Sequence, residues 1–275
     1  MTAILRETEG CGAEITNLAV AAATDSEIDL IRDTVFRRGV AFLHGQNLTP
    51  EEHIAFAERI GPIVVNRYFP PSERYPQIAK VEKTEAQTTN IGGGWHTDHS
   101  YDQAPAMGSV LLAIETPPQG GDTLFADMYA AYEALSDGLK ATLASLRAVH
   151  ASEHIYGKDG VFGRTDQAHL AGHEDTPSAT HPAVITHPGS GRKALYVNPA
   201  FTLGFEGWTA QESRALLAYL YEHAVQPQFV HRFKWRPGSM AIWDNRATWH
   251  LAMNDYQGHR RLMHRITIAG EPLAA

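Results

Sequence analysis

Two short segments separated by more than half of the chain place the strongest constraint on its fold. Trp95-His96-Thr97-Asp98 and, far downstream, Trp243-Asp244-Asn245-Arg246 leading to His250 together offer two imidazoles and one carboxylate. Three such donors on one ion form a facial set that leaves other coordination positions open, unlike the closed four-ligand shell of a structural zinc site. This is the donor set of a non-haem Fe(II) centre, and it points to oxidative chemistry. The fold must then bring the two segments side by side.

The residues around them suggest how. Gly92-Gly93-Gly94 permits tight turning, and the aromatic, β-compatible run after it reads as loop into strand. Strand alternation puts His96 and Asp98 on one face and turns Thr97 and His99 to the other. His250 follows an apolar, strand-like run, Ser239 to Trp243, and a turn-like Asp244-Asn245. With 15 histidines in the chain, His-x-Asp alone is weak evidence, but a second cluster lies downstream. In Arg261-Leu262-Met263-His264-Arg265 a period of two puts Arg261, Met263 and Arg265 on one face. Buried arginines require anionic partners, so two of them facing one cavity suggest a site for small carboxylates or sulfonates.

With these residues the chain resembles the taurine dioxygenase and 2,4-dichlorophenoxyacetate dioxygenase family of Fe(II)/2-oxoglutarate-dependent oxygenases. The resemblance covers nearly the whole chain. It runs in the family's order through Trp95 to Asp98, Gly120 to Leu124, Ala130 to Ser136, His181-Pro182, Thr186 to Gly191, Leu195 to Asn198 and Ile242 to Arg246. It implies that His96, Asp98 and His250 bind iron, that Arg261 with Thr123 holds the distal carboxylate of 2-oxoglutarate, and that Arg265 faces the substrate's acidic group. Read alone, Thr123 is an ordinary strand residue; a guanidinium, however, gives a carboxylate two parallel charge-assisted hydrogen bonds, and a hydroxyl adds a third. The implied reaction consumes 2-oxoglutarate and O2 and hydroxylates a substrate C–H bond. Where that carbon carries sulfonate, sulfate or aryloxy oxygen, the product collapses to a carbonyl and releases the leaving group.

The departures from the family bear on substrate. A histidine, a tyrosine and an asparagine help to hold the aminosulfonate in taurine dioxygenases, and alignment places Asn66, Phe69 and Gly92 there. Fewer polar partners for an amine favour a small anionic organic substrate with an alkyl or aryl tail over taurine. Phe201 aligns with a pocket phenylalanine and is as readily a plain core aromatic. Asn66, Phe69, His99, Tyr101 and Phe201, with Arg265, make up the substrate candidates, His99 through its backbone and not as a metal ligand.

Composition bounds the partners. A chain of 275 residues with 43% apolar and 20% charged residues and no linker or repeat reads as one domain, 1–275. A net charge of −8 disfavours nucleic acid. The chain holds no apolar stretch of membrane-spanning length and no signal-peptide pattern, so no membrane partner and a cytoplasmic location are expected. The single Cys11 excludes an intrachain disulfide, in keeping with a reducing compartment. A dimer or tetramer is the expectation carried by the resemblance.

Elements follow from pattern. Helices are expected from about Ser26 to Gly39, from the Thr49 cap through Pro50 to about Arg59, over Met128 to Leu135 and Ser136 to Leu146, and after the capping box at Thr209. Strands are expected at Ala13 to Ile15, Val40 to Leu43, Pro105 to Ala113, through Thr123, at Ala183 to Ile185, Ala194 to Val197, Phe229 to Trp235, Met240 to Trp243 and Arg261 to Ile268. The polar, glycine-containing stretch 154–181 is expected to be a mobile lid or a disordered loop. The class is mainly β with flanking helices (α+β), and the resemblance implies a double-stranded β-helix, a jelly-roll, cupin-like core. Two rival functions stay open: a hydroxylase or desaturase of an amino-acid-like metabolite, which would need an acid to bind the amine, and a non-oxidative cupin-like metal protein, which would need no 2-oxoglutarate.

Overall fold

The computed structural model describes residues 2–72 and 74–275. It is a mixed, sheet-rich fold with flanking helices. The largest sheet runs Ile4–Glu7, Ala13–Thr16, Val40–Leu43, Met240–Asp244, Gly108–Glu115, Arg261–Ile268, Tyr75–Lys83 and Pro71–Ser72, with Ile63–Val64 also paired to Arg261–Ile268. A smaller sheet, Val230–Phe233, Thr123–Asp127 and Thr248–Ala252, faces it.

Alternation along the central strands explains this layering. Val110, Leu112, Ile242 and Ile266 turn outward and are covered by the helices Asp25–Arg38 and Pro50–Ile60 through Ile28, Ile31, Val35, Phe56 and Ala57. Leu111, Ala113, Ala241, Trp243 and Met263 turn inward, against Phe125 and Phe233 of the smaller sheet. Arg261 and Arg265 belong to that inward set by the same period, and both are buried. On the far side the helix Ala210–Ala224 packs Leu217 and Leu220 against Tyr129, Leu195 and Trp249.

The helix starts follow cap chemistry. Thr49 and Thr209 each form a capping box with the glutamate three residues on, and Pro50 opens its helix. The first helix starts at Asp25 because Thr24, paired with Glu27, forms a third such box. Gly39 at φ 78 ends it.

Three boundaries depart from the sequence reading. The strand expected from Pro105 begins at Gly108, because the turn after Asp244 takes the carbonyls of Ala106 and Met107 through the Asn245 side-chain and backbone N–H groups. The second of the adjoining helices stops at Leu143, since Arg147–Ala151 is needed to pair with Ser178–Pro182. The stretch 154–181 is not structureless. It holds the short helix Glu153–Tyr156, two 3-10 turns at Val161–Arg164 and Ala168–Leu170, and most of the strand Ser178–Pro182. Fully buried Gln167 donates to the carbonyls of Glu82 and Thr89, and the Asp166 carboxylate accepts from Thr88 and Thr89. Lone polar staples of this kind leave no periodic trace in a sequence.

Two histidines tie the stability of this fold to pH. His53 and His150 are 1% and 0% exposed. Burial, then the neighbouring His264 for one and His181 for the other, pulls each pKa down to about 3. Between about pH 6.5 and 3 the unfolded chain takes up protons that the folded chain refuses, so stability is full above the unfolded value and falls as pH drops. In urea melts of the metal-free protein, moving from pH 7.5 to 5 should lower stability by about 2 kcal/mol per histidine. His53→Leu and His150→Leu should each flatten that dependence; an unchanged slope in both would refute the assignment.

Candidate active site

The metal-ligand candidates meet through one isolated antiparallel bridge. The His96 amide donates to the His250 carbonyl (3.1 Å) and the His250 amide to the His96 carbonyl (2.8 Å), which ties the glycine-rich loop to the strand Thr248–Ala252. Beyond His96 the chain does not continue as the expected strand. It enters a turn at Asp98 and passes through His99 at a left-handed φ of 59°, while Asp98 still lies on the side of both rings, as expected. His96 Nε2 lies 3.7 Å from Asp98 Oδ1, and His250 Nε2 lies 3.7 Å from Asp98 Oδ2. One ligand atom from each of the three residues falls within 4.8 Å of the others.

The donor chemistry fits a divalent cation. The His96 Nδ1 lies 2.8 Å from the Gly94 carbonyl, which can only accept, so Nδ1 carries the proton and Nε2 offers a lone pair toward Asp98. Burial, with the Arg265 charge adding to it, holds His250 well below the ordinary imidazole range, so it is the neutral, ligating form. Burial raises the pKa of Asp98, but the Arg265 guanidinium leads the influences that more than offset it and leave the carboxylate ionised. Asp98 Oδ2 is buried with no hydrogen-bond partner among the described residues. A buried carboxylate oxygen left bare beside two imidazole lone pairs is what a shared cation would satisfy.

A cavity of about 440 Å³ opens on this trio. At one end stand Thr123 and Arg261. The Thr123 hydroxyl oxygen accepts from Trp235 Nε1 (2.9 Å), which leaves its own proton free to donate. Arg261 is buried, lies over the Trp235 ring at 5.7 Å and donates Nε to the Gly121 carbonyl at 3.1 Å. On the other side Arg265 Nη1 is 3.4 Å from Asp98 Oδ1, with its guanidinium 5.2 Å from the Phe69 ring centre.

Of the substrate candidates, Arg265, Phe69 and Phe201 line the cavity, as does Gly92, while Asn66, His99 and Tyr101 stand behind it. The Asn66 carbonyl oxygen accepts from the amides of Tyr68 and Phe69 and so shapes the chain's entry to the wall. The His99 ring is held by Asp102 at 2.9 Å, away from the trio. Tyr101 packs edge-on behind Phe201 at 4.8 Å. Sequence reasoning missed Ile155, Tyr156 and Phe162, which complete the apolar wall; their only signal was an apolar pair inside a polar stretch. It also missed the cluster behind the site. Fully buried Asp244 accepts from His187 Nε2 (2.9 Å) and from the backbone N–H (2.8 Å), Nε (2.9 Å) and Nη2 (2.6 Å) of Arg246. The Asn245 carbonyl in the same turn accepts from Thr97, the residue between two of the ligands, at 2.5 Å.

The chain from residue 5 to 267 matches the family model described as taurine catabolism dioxygenase TauD, TfdA family. It is 34% identical to the alpha-ketoglutarate-dependent 2,4-dichlorophenoxyacetate dioxygenase of Burkholderia sp. (strain RASC), over 94% of this chain and 91% of that one. Identity to the alpha-ketoglutarate-dependent sulfate ester dioxygenase of Pseudomonas putida is 32%, over 94% of this chain and 87% of that one. A crystal structure of a taurine dioxygenase from Burkholderia xenovorans superposes with a TM-score of 0.84 at 33% identity, covering 100% of this chain and 93% of that one.

Two measurements test the site. Anaerobic equilibrium dialysis with Fe(II), or with Mn(II) in its place, should show one ion per chain, lost in His96→Ala and Asp98→Ala and kept in His99→Ala; retention by all three variants would place the ion elsewhere. Asp244→Asn should lower stability by about 3–5 kcal/mol, because it leaves Arg246 buried without its counter-charge. A urea midpoint equal to wild type would show that the cluster does not hold the turn.

Proposed function

The chain belongs to the taurine catabolism dioxygenase TauD, TfdA family, and on that premise we propose how its residues divide the work of the reaction. It is a 2-oxoglutarate-dependent non-haem iron dioxygenase that uses Fe(II), 2-oxoglutarate and O2. His96, Asp98 and His250 hold the iron. The bound metal, with 2-oxoglutarate and O2, supplies the oxidant for hydroxylating a C–H bond, and the co-substrate leaves as succinate and CO2. Arg261 grips the distal carboxylate of 2-oxoglutarate through two parallel hydrogen bonds, and the free Thr123 proton adds a third. We infer that this site sits in a double-stranded β-helix core of one domain. The segment 154–181 serves as its cover and keeps bulk water from the reacting carbon.

The substrate is a small organic anion with an alkyl or aryl tail, such as an alkyl sulfate, a sulfonate or an aryloxyalkanoate. One observation carries this: the Arg265 guanidinium stands beside Asp98 in a wall otherwise built from Phe69, Phe201, Ile155, Tyr156 and Phe162. Arg265 orients the anion, so it decides which carbon faces the metal trio. The relatives named for 2,4-dichlorophenoxyacetate and sulfate esters agree with this choice. Where that carbon bears the leaving oxygen, hydroxylation ends in collapse to a carbonyl. An amino-acid-like substrate is disfavoured, because Asp98 is the one carboxylate on the cavity wall among the described residues and the metal claims it. A cytoplasmic dimer or tetramer is the setting we propose on the strength of the family resemblance; among the described residues no helix is long and apolar enough to cross a membrane.

Anaerobic titration of Fe(II) and 2-oxoglutarate should raise the weak visible metal-to-ligand charge-transfer band. In Arg261→Ala the 2-oxoglutarate affinity should fall about 100-fold, since two charge-assisted hydrogen bonds are lost. No band in metal-loaded wild type would end the reading. Succinate release should then rise with alkyl sulfates or aryloxyacetates and stay at background with free amino acids.

A further inference from the structure

The 154–181 stretch lends the cavity wall one side chain with a polar group, Tyr156. Tyr156, the last residue of the helix Glu153–Tyr156, lines the wall and is 8% exposed. Its ring is fixed on three sides: it stacks on Tyr68 at 4.1 Å and 17°, and lies 5.9 Å from Phe162 and 6.3 Å from Phe201. The Tyr68 platform is itself pinned, its hydroxyl 3.1 Å from both Ser152 Oγ and the Asp175 carbonyl. The Tyr156 backbone is held at both groups, its N–H by the Ser152 carbonyl (2.9 Å) and its carbonyl by the His173 N–H (3.1 Å).

The hydroxyl is the part this packing does not explain. Tyr68, Tyr129 and Tyr221 each place their hydroxyl on a protein partner. The Tyr156 hydroxyl has none among the described residues, and the charges acting on it are those of Asp98 and Arg265. Burial pushes the phenol's pKa up, so at neutral pH it carries its proton and can donate. Unlike the sealed, unpartnered Tyr196 hydroxyl, it is not closed off from solvent at the cavity wall, so it is free to donate to a ligand there. A sulfate, sulfonate or carboxylate held by Arg265 has acceptor lone pairs to spare, because one guanidinium satisfies only two of them.

We propose that the Tyr156 hydroxyl is a second hydrogen-bond donor to the substrate's anionic group, acting with Arg265 from a different wall of the cavity. This rests on the reading of the substrate as an organic anion. Two donors from separate elements fix the rotation of the anion as well as its position, and so select which hydrogen of the adjacent carbon faces the metal trio. Tyr156 is then a positioning and specificity residue, carried by the segment that covers the site.

Tyr156→Phe keeps the stacked ring and removes only the hydroxyl. The protein, loaded with Mn(II) and 2-oxoglutarate under anaerobic conditions, is titrated by calorimetry with 2,4-dichlorophenoxyacetate, hexyl sulfate and the uncharged 2-(2,4-dichlorophenoxy)ethanol. The expected result is an approximately tenfold weaker affinity of Tyr156→Phe for each anion that wild type binds, with the alcohol and 2-oxoglutarate bound as in wild type. During turnover with Fe(II), the same variant should release more succinate per product formed. Equal weakening toward the anions and the alcohol would reduce Tyr156 to a packing role, and unchanged anion affinity would overturn the inference while leaving the substrate reading intact. Failure of wild type to bind either anion would overturn the substrate reading, and this inference with it.

Discussion

The reciprocal backbone bridge between His96 and His250 is the constraint on which the rest of the site depends. Two hydrogen bonds at one residue pair fix both ligand-bearing backbones without fixing a long strand, and that leaves the next residues free to turn. The freedom is used at once: Asp98 sits within reach of both rings, and the chain turns away after it through left-handed His99. Thr97, fixed by its bond to the Asn245 carbonyl, keeps that turn from relaxing. Behind it, the buried pairing of Asp244 with Arg246 and His187 makes the Asn245 turn rigid, so the second ligand segment is held against the first from within the core.

Charge follows from this geometry. The chain as a whole carries −8, yet the cavity holds two buried guanidiniums. Arg265 is partly compensated by Asp98 at 3.4 Å, whereas Arg261 has a carbonyl and an indole face and no carboxylate within ion-pair distance among the described residues. Its burial already lowers the pKa of that guanidinium, a sign of how poorly the apolar surroundings solvate its charge. In the proposed reading, a bound dicarboxylate would relieve that strain at Arg261 and a substrate anion would do the same for Arg265. At these distances local attraction outweighs a screened surface field whose reach is about 8 Å in physiological salt.

Much of this was legible in the residues, for reasons that differ by element. The helix starts could be read because a threonine with a glutamate three residues on is a local device, complete within one turn. Arg261, Met263 and Arg265 could be placed together because a long strand keeps its period of two from end to end. At Asp98 the expected strand gives way to a turn through left-handed His99, which has no sequence mark of its own, yet His96 and Asp98 still converge as expected. Asn66, His99 and Tyr101, named as substrate candidates, are not among the residues lining the cavity. Each was assigned to the cavity by alignment or adjacency, and each spends its polar or aromatic group on a neighbour behind the wall. The His187–Asp244 bond and the staples of Gln167 join residues 57 to 85 positions apart, and no short window of sequence contains both partners.

Those successes and failures fall on different parts of the molecule, and the division is itself informative. The metal trio, Thr123, Arg261 and Arg265 all lie on or directly against strands of the two facing sheets, where ladder hydrogen bonds hold positions closely. The apolar wall comes instead from short loops and the helix Glu153–Tyr156, held by scattered side-chain contacts that can be rebuilt without disturbing a sheet. Reaction chemistry therefore resides where pattern is strong, and substrate choice where it is weak. The relatives named for a sulfate ester and for an aryloxy acid differ in the substrate their names give. Tyr156, the residue proposed to tune the fit of the anion, sits in the stretch whose sequence said least about its structure.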